Sequence, residues 1–242
     1  MILTSTNLHE EEMISDNEIK RIINESIGLE EKKEKLDESY VARVKQYNLT
    51  TEFLSTANKQ NHLELYDGYV EAFNKVSAEL DGVDRSTSNP RSSAYRALKA
   101  DETYNMNAVY LHELYFSNIS DLNSTITMDS LSYMRLARDF GSFDAWQKDF
   151  IACCRASRNG WAITYYNIYT KAYMNTFVDL HSENVPVFGI PVVVMDVWEH
   201  AYYKDYLKDI KTYVVAMMKQ LNWKVIEKRF EKADRVSQVL RG

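Results

Sequence analysis

A chain of 242 residues, 45% hydrophobic and 26% charged, carries enough apolar surface for a sizeable core and has the length of one domain or two small ones. A net charge of −6 with dispersed Lys and Arg argues against a nucleic-acid partner, and no apolar run approaches the roughly 20 residues of a membrane span. The opening MILTSTNLHEEEMISDNEIK lacks the basic, apolar and small-residue order of a secretion signal, so the expected setting is cytoplasmic or otherwise intracellular, with no membrane among the partners.

In chain order, residues 1–48 form an extension rich in Glu and Lys in which Ile19, Ile22, Ile23 and Ile27 recur at helical spacing. The spacing predicts an amphipathic helix with flexible flanks, either a solvated tail or a stripe that docks on the main body or on a partner protein. A second unit, 49–125, opens at Ser55, a good helix N-cap, and places Tyr66, Tyr69, Val70, Phe73 and Leu80 on one helical face. Asp81 to Arg91, with its Gly, Pro and small polar residues, reads as a loop. Ala108, His112, Phe116 and Ile119 then share a second helical face, which completes a helical hairpin.

The last unit, 126–242, begins with helices that end near Arg158 and contain the adjacent Cys153 and Cys154, unsuited to a mutual structural disulfide and read as packed thiols. WAITYYNI, AYMNTFVDL and PVVVMD follow, three runs rich in β-branched and aromatic residues that predict a small antiparallel sheet. Tyr202, Tyr206, Tyr213, Val214, Met217 and Leu221 return to helical spacing. The expected fold class is α+β: an N-terminal helical hairpin followed by an α/β domain with a three-stranded antiparallel sheet.

Among five histidines, His9 sits in the acidic extension and reads as solvated. The sharpest local pattern is Asp196-Val197-Trp198-Glu199-His200, a carboxylate ending an apolar strand with an imidazole four residues on. A helix starting just after Asp196 brings both side chains to one point, and mixed carboxylate and imidazole donors suit Mn or Fe. An Asp-x-x-x-His pair alone is a weak signal, and His112 on an apolar helix face reads equally well as a core histidine.

The longer string DVWEHAYY, 196–203, resembles the metal-binding signature of the iron/manganese superoxide dismutases at every position. GSFDAWQKDF at 141–150, NGW at 159–161 and Asn222-Trp223 extend the likeness over residues 50–235. The resemblance implies a dismutase that converts superoxide to O2 and H2O2, working as a homodimer or tetramer with one Fe or Mn ion per subunit. It implies four protein ligands: His62, His112, Asp196 and His200. For the first-helix ligand, the family register counted back eight residues from Tyr69-Val70 gives Asn61, whereas counting seven on from Ser55 gives His62. His62 is the expected ligand because it shares a helix face with Tyr66, Tyr69 and Phe73, while Asn61 points about 100° away. This register leaves out one residue that widens the helix in the family.

The same resemblance gives the surroundings of the ion. The family's glutamine donor to metal-bound solvent is absent: Ala108 stands at one of its two positions and His181 at the other. His181 is expected to donate in its place, the alternative being an exposed loop histidine. Tyr69 is implied as the gateway tyrosine, Trp161 and Trp198 as walls of the site, and Glu199 and Tyr203 as residues that cross a dimer interface, Glu199 bonding to the partner subunit's His200. Two departures stand out. Tyr66 takes the place of the entrance histidine, and Ile210 replaces an arginine that draws the anion inward, with Lys208 and Lys211 as possible substitutes. These losses leave a second expectation: a protein of this fold acting as a structural component of a larger assembly, such as a virus particle or ribonucleoprotein, with weak or no activity.

Overall fold

Two long antiparallel helices begin the fold. The computed structural model describes residues 41–121 and 124–239, which belong to one compact unit, Ser39–Gly242; the predicted helix bearing Ile19, Ile22, Ile23 and Ile27 lies outside the described residues. Helix α1, Thr56–Gly82, starts where expected, with the Ser55 hydroxyl accepting from the Asn58 amide at 3.1 Å. Its buried face is Asn58, His62, Tyr66, Val70, Phe73 and Leu80. The helix is α-helical throughout, so the family's local widening is absent. Seven residues of a regular helix turn through about 700°, which returns Tyr69 to within about 20° of His62.

Helix α2, Ala94–Asn118, capped by Ser93, packs along α1 and buries Ala108, Leu111, His112, Tyr115 and Phe116. Helices α3, Leu131–Phe140, and α4, Phe143–Ala156, are separated by Gly141 at φ +84°, the left-handed conformation that favours glycine at a helix end. Cys153 and Cys154 lie in α4 as free thiols.

The sheet has order β2-β1-β3, all antiparallel, with β1 Gly160–Asn167, β2 Ala172–Asp179 and β3 Gly189–Asp196. Central β1 is buried along almost its whole length, and α4 packs on it while α2 packs on β3. The C-terminal stretch divides into α5 Glu199–Tyr206, α6 Ile210–Met218 and α7 Trp223–Val239. The break after α5 falls at Leu207, with φ +51°, and Asp209 caps α6 by accepting from the Thr212 amide. No helix among the described residues is long and apolar enough to cross a membrane.

Candidate metal centre

Three helices and a strand end converge on one point. His62 comes from α1, His112 from α2, Asp196 from the last residue of β3, and His200 from the first turn of α5. One donor atom from each lies within 4.8 Å of all the others, a group that could hold a metal ion. The three imidazole Nε2 atoms surround a single oxygen, Asp196 Oδ2, at 3.1 Å for His62, 3.3 Å for His200 and 3.7 Å for His112. The other carboxylate oxygen, Oδ1, accepts from the Trp198 amide at 2.9 Å, which fixes the direction of the group.

Hydrogen bonds behind the cluster set its protonation. His112 Nδ1 donates to the Ala108 carbonyl at 2.7 Å, so the neutral ring turns a bare Nε2 lone pair toward Asp196. That nitrogen is buried and has no hydrogen-bond partner. Burial holds the His112 pKa well below its ordinary value, and burial likewise lowers that of His62. Burial alone would raise the Asp196 pKa, but the charge and hydrogen bond of His200, with those of His62, overcome it and hold the carboxyl far below the usual range. A lone pair facing a carboxylate in a dry pocket is costly unless a cation lies between them. Three imidazole nitrogens and one carboxylate oxygen fit such an ion, and their chemistry suits Fe or Mn.

Around the cluster, Trp161 meets His112 edge-on at 4.9 Å, and Trp198 stacks on His200 at 5.7 Å. Tyr69 lies against His112 at 5.4 Å. His181, just past β2, is fully buried rather than an exposed loop residue. Its carbonyl accepts from Asn107 Nδ2 at 2.8 Å, and the adjoining turn is closed by the Leu180 amide donating to the Asn159 carbonyl. Its ring joins Trp161 Nε1, 3.0 Å from Nδ1, to the Tyr69 hydroxyl, 3.1 Å from Nε2.

Residues 130–229 match the profile of the iron/manganese superoxide dismutases, C-terminal domain. A protein named superoxide dismutase [Fe] from Aquifex pyrophilus is 35% identical over 194 residues, 78% of this chain and 90% of the relative. Superoxide dismutase [Mn] 1 of Halobacterium salinarum is 32% identical over 173 residues, 72% of this chain and 84% of the relative. A superoxide dismutase [Fe] of Cupriavidus metallidurans is 31% identical over 172 residues, 70% of this chain and 84% of the relative. The chain belongs to the iron/manganese superoxide dismutase family.

Against the family pattern, three expectations need correction. Tyr66 is not at the entrance: its side chain is fully buried, and its hydroxyl donates to Glu113 Oε1 at 3.0 Å and accepts from the Lys45 amide at 3.2 Å. One helical residue fewer between His62 and Tyr69 turns this position into the hairpin core. The second correction concerns His181. A glutamine amide has two hydrogens, whereas a neutral imidazole has one. Burial lowers the His181 pKa to about 4, and with Nδ1 accepting from Trp161 the one hydrogen sits on Nε2, directed at Tyr69. No second hydrogen is left to give to a bound solvent.

The third concerns the missing arginine. Lys211 lines a separate surface groove with Asp209 and Phe53, and Lys208 is exposed. Among the described residues, the cation that lines the cavity at the cluster is Lys204, which the sequence did not single out. An open cavity of about 420 Å³ leads to His62 and His200, with Asn61, Glu199, Tyr203 and Lys204 on its rim. Lys204 Nζ donates to the Asn61 side-chain oxygen at 3.0 Å when that amide is oriented to suit its neighbours. Glu199 and Tyr203, the expected interface pair, are both exposed on this rim.

Tyr115, and the part that Tyr213 plays beyond its helical face, also escaped notice in the sequence. Both are fully buried, and the Tyr213 hydroxyl donates to the Asp196 main-chain oxygen at 2.8 Å. Trp161 and Asp196 form a non-hydrogen-bonded pair of the sheet, since the Val197 amide bonds to the Gly160 carbonyl, so the Asp196 carbonyl faces away from β1 and toward Tyr213. A spacing of seventeen residues between them crosses two helix ends and carries no periodic signal.

Proposed function

We propose that this chain is a superoxide dismutase, converting superoxide to O2 and H2O2 with one Fe or Mn ion per subunit held by His62, His112, Asp196 and His200. The observation that carries this reading is the convergence of three imidazole nitrogens on one carboxylate oxygen, with the His112 Nε2 lone pair buried and unpartnered. Bound there, the ion would supply one-electron chemistry, by which one superoxide is oxidised to O2 and a second, with two protons, is reduced to H2O2.

The chain's own residues do the rest. Trp161 and Trp198 wall the site and exclude bulk water. Tyr69, half-buried and kept as a phenol by burial, lays its ring against His112 and its hydroxyl against His181. Lys204 places positive charge at the mouth, where an anionic substrate enters. Asp196, fixed at Oδ1 by Trp198 and at its carbonyl by Tyr213, holds its second oxygen among the three imidazole nitrogens that would share the ion with it.

The same reading includes a homodimer or tetramer formed through the rim of the cavity, with Glu199 bonding to the partner subunit's His200 and Tyr203 reaching across. It includes an intracellular setting, consistent with two free cysteines, and docking of a partner protein by the isoleucine stripe of the extension. A purely structural role in an assembly is not favoured, because all four expected ligands are present and brought together.

Elemental mass spectrometry of the purified protein, with dismutation assayed on the same sample, tests the proposal. Near one Fe or Mn per chain with high activity is expected. Full metal without activity, or stoichiometric metal retained by His200→Ala, would overturn it.

A further inference from the structure

Helix α7 sorts its charges by face. Glu227 accepts from the Leu131 and Ser132 amides at 2.6 and 2.9 Å, and Asp234 pairs with Arg135 at 2.6 Å, so these carboxylates are spent on α3. Lys228, Arg229 and Lys232 instead line a cavity of about 480 Å³, together with Tyr110 and Glu113 of α2 and with Lys45 and Tyr47 of the segment before α1. The lining sets four cations against one carboxylate, on a chain whose net charge is −6. That carboxylate, Glu113, is already engaged by Lys45 at 2.5 Å and by the Tyr66 hydroxyl at 3.0 Å. Lys228 and Lys232 are exposed and pair with no carboxylate among the described residues.

Arg229 is the fixed part of this lining. Its Nη1 donates to Asn118 Oδ1 at 2.6 Å and to the Val192 carbonyl at 3.0 Å, and its Nη2 to the Leu114 carbonyl at 2.9 Å and to Ser117 Oγ at 2.7 Å. All four acceptors are neutral, which suits a cation at the C-terminal end of α2, and they consume the four terminal hydrogens of the guanidinium. The fifth hydrogen, on Nε, has no partner among the described residues, and no carboxylate there offsets the charge. Burial lowers the Arg229 pKa to about 10, as expected of a cation whose charge is not compensated. Capping α2 accounts for Arg229 but not for the lysines gathered beside it, whose mutual repulsion an anion would relieve.

We propose that this cavity between α2 and α7 binds a small soluble molecule bearing a phosphate or pyrophosphate group, held by Lys228, Lys232 and the Arg229 Nε–H. The volume exceeds that of a phosphate ion and falls within the roughly 300–1,000 Å³ of small-molecule pockets, so Tyr47 and Tyr110 are left to meet the organic part of the ligand. The site is separate from the metal cluster and does not depend on the reading of the chain as a dismutase.

Pyrophosphate is the probe, titrated by calorimetry into the metal-bound protein at low ionic strength, where a Kd below about 1 mM is expected. The double variant Lys228→Gln with Lys232→Gln alters two exposed side chains and should weaken binding about tenfold or more. Lys211→Gln with Lys219→Gln removes the same charge from a different groove, and Lys204→Gln removes a cation from the mouth of the metal site; each should leave Kd within about twofold of wild type. A second readout is chemical: pyrophosphate should protect Lys228 and Lys232 from acylation, read by mass spectrometry, and leave Lys204 and Lys211 as reactive as before. No binding, equal weakening in the two double variants, binding lost in Lys204→Gln, or protection that is absent from Lys228 and Lys232 would each overturn the proposal. Co-sedimentation with phosphatidylcholine vesicles containing phosphatidic acid separates a soluble ligand from a lipid headgroup. The protein should stay in the supernatant, and sedimentation that the Lys228 and Lys232 substitutions abolish would overturn the assignment to a soluble molecule.

Discussion

Replacing Tyr213 by Phe removes one oxygen atom from the most enclosed part of the site, and its cost can be worked from the bonds that atom makes. A main-chain carbonyl only accepts, so Tyr213 donates to Asp196 at 2.8 Å, and Tyr115 must therefore donate to Tyr213 at 2.9 Å. Burial keeps both phenols protonated well above the ordinary range, so the two bonds persist at neutral and moderately alkaline pH. Tyr213→Phe breaks both and leaves a buried hydroxyl and a buried carbonyl without these partners. At about 1 kcal/mol for each net bond and 1–3 kcal/mol for a stranded buried group, the expected loss is about 3 kcal/mol. Tyr115→Phe is the control: it removes one donor, leaves Tyr213 bonded to Asp196, and should cost about 1 kcal/mol.

Urea unfolding of the two metal-free variants measures these costs as shifts in midpoint at constant slope. The Tyr213 substitution also frees the backbone that aims the Asp196 carboxylate, so metal affinity, read by competition with a chelator, should fall about 10-fold to 100-fold, while Tyr115→Phe should leave it near wild type. Equal stability losses in the two variants, or unchanged metal affinity in Tyr213→Phe, would refute the claim that Tyr213 positions the ligand.

Lys204→Gln should lower kcat/KM about threefold at low ionic strength and flatten its decline with added salt; an unchanged salt dependence would remove Lys204 from substrate attraction. Gly160→Ala would put a Cβ 1.9 Å from the Val178 carbonyl oxygen and 2.9 Å from Asp179 Cα, so β2 must shift; a loss of about 3 kcal/mol or more is expected by thermal unfolding, and a midpoint close to wild type would refute it. His62, His112 and His181 have lowered folded pKa values, so the unfolded chain binds more protons below about pH 6.5, and metal-free stability should fall on acidification. His181 alone, lowered to about 4, accounts for about 3 kcal/mol between pH 6.5 and 4; stability that is flat or rising over that window would contradict the sign.

The fold was legible because its elements are long and cleanly patterned. Ser55 caps α1 as expected, the three apolar runs are the three strands to within two residues, and the carboxylate and imidazole of 196–200 straddle the strand end and helix start that their spacing required. The choice of His62 over Asn61 also followed from helix geometry: His62 is buried in the cluster, and Asn61 sits exposed on the cavity rim. Tyr66 was misplaced because a family register was carried past a missing residue, and a single step in a helix swings a side chain by about 100°. The roles of Lys204 and Tyr213 were invisible for another reason. Each acts through a contact between elements distant in sequence, and neither helical nor strand periodicity encodes such a contact.

His181 shows how a substitution is constrained by hydrogen count as well as by size. An amide in this place could give one hydrogen to Tyr69, keep another, and still accept from Trp161. The imidazole accepts from Trp161 and gives its one hydrogen to Tyr69, so both nitrogens are committed. In this arrangement Tyr69, whose ring lies 5.4 Å from that of His112, receives the one His181 hydrogen. Burial fits this division: His181 is sealed and held neutral, whereas Tyr69 is half-open. Small Ala108 on α2, fully buried, supplies its carbonyl to His112 and carries no side-chain donor that could compete for the same space. The pairing of alanine on the helix with histidine after the strand thus sets the bonded run Trp161–His181–Tyr69, in place of an amide, beside His112.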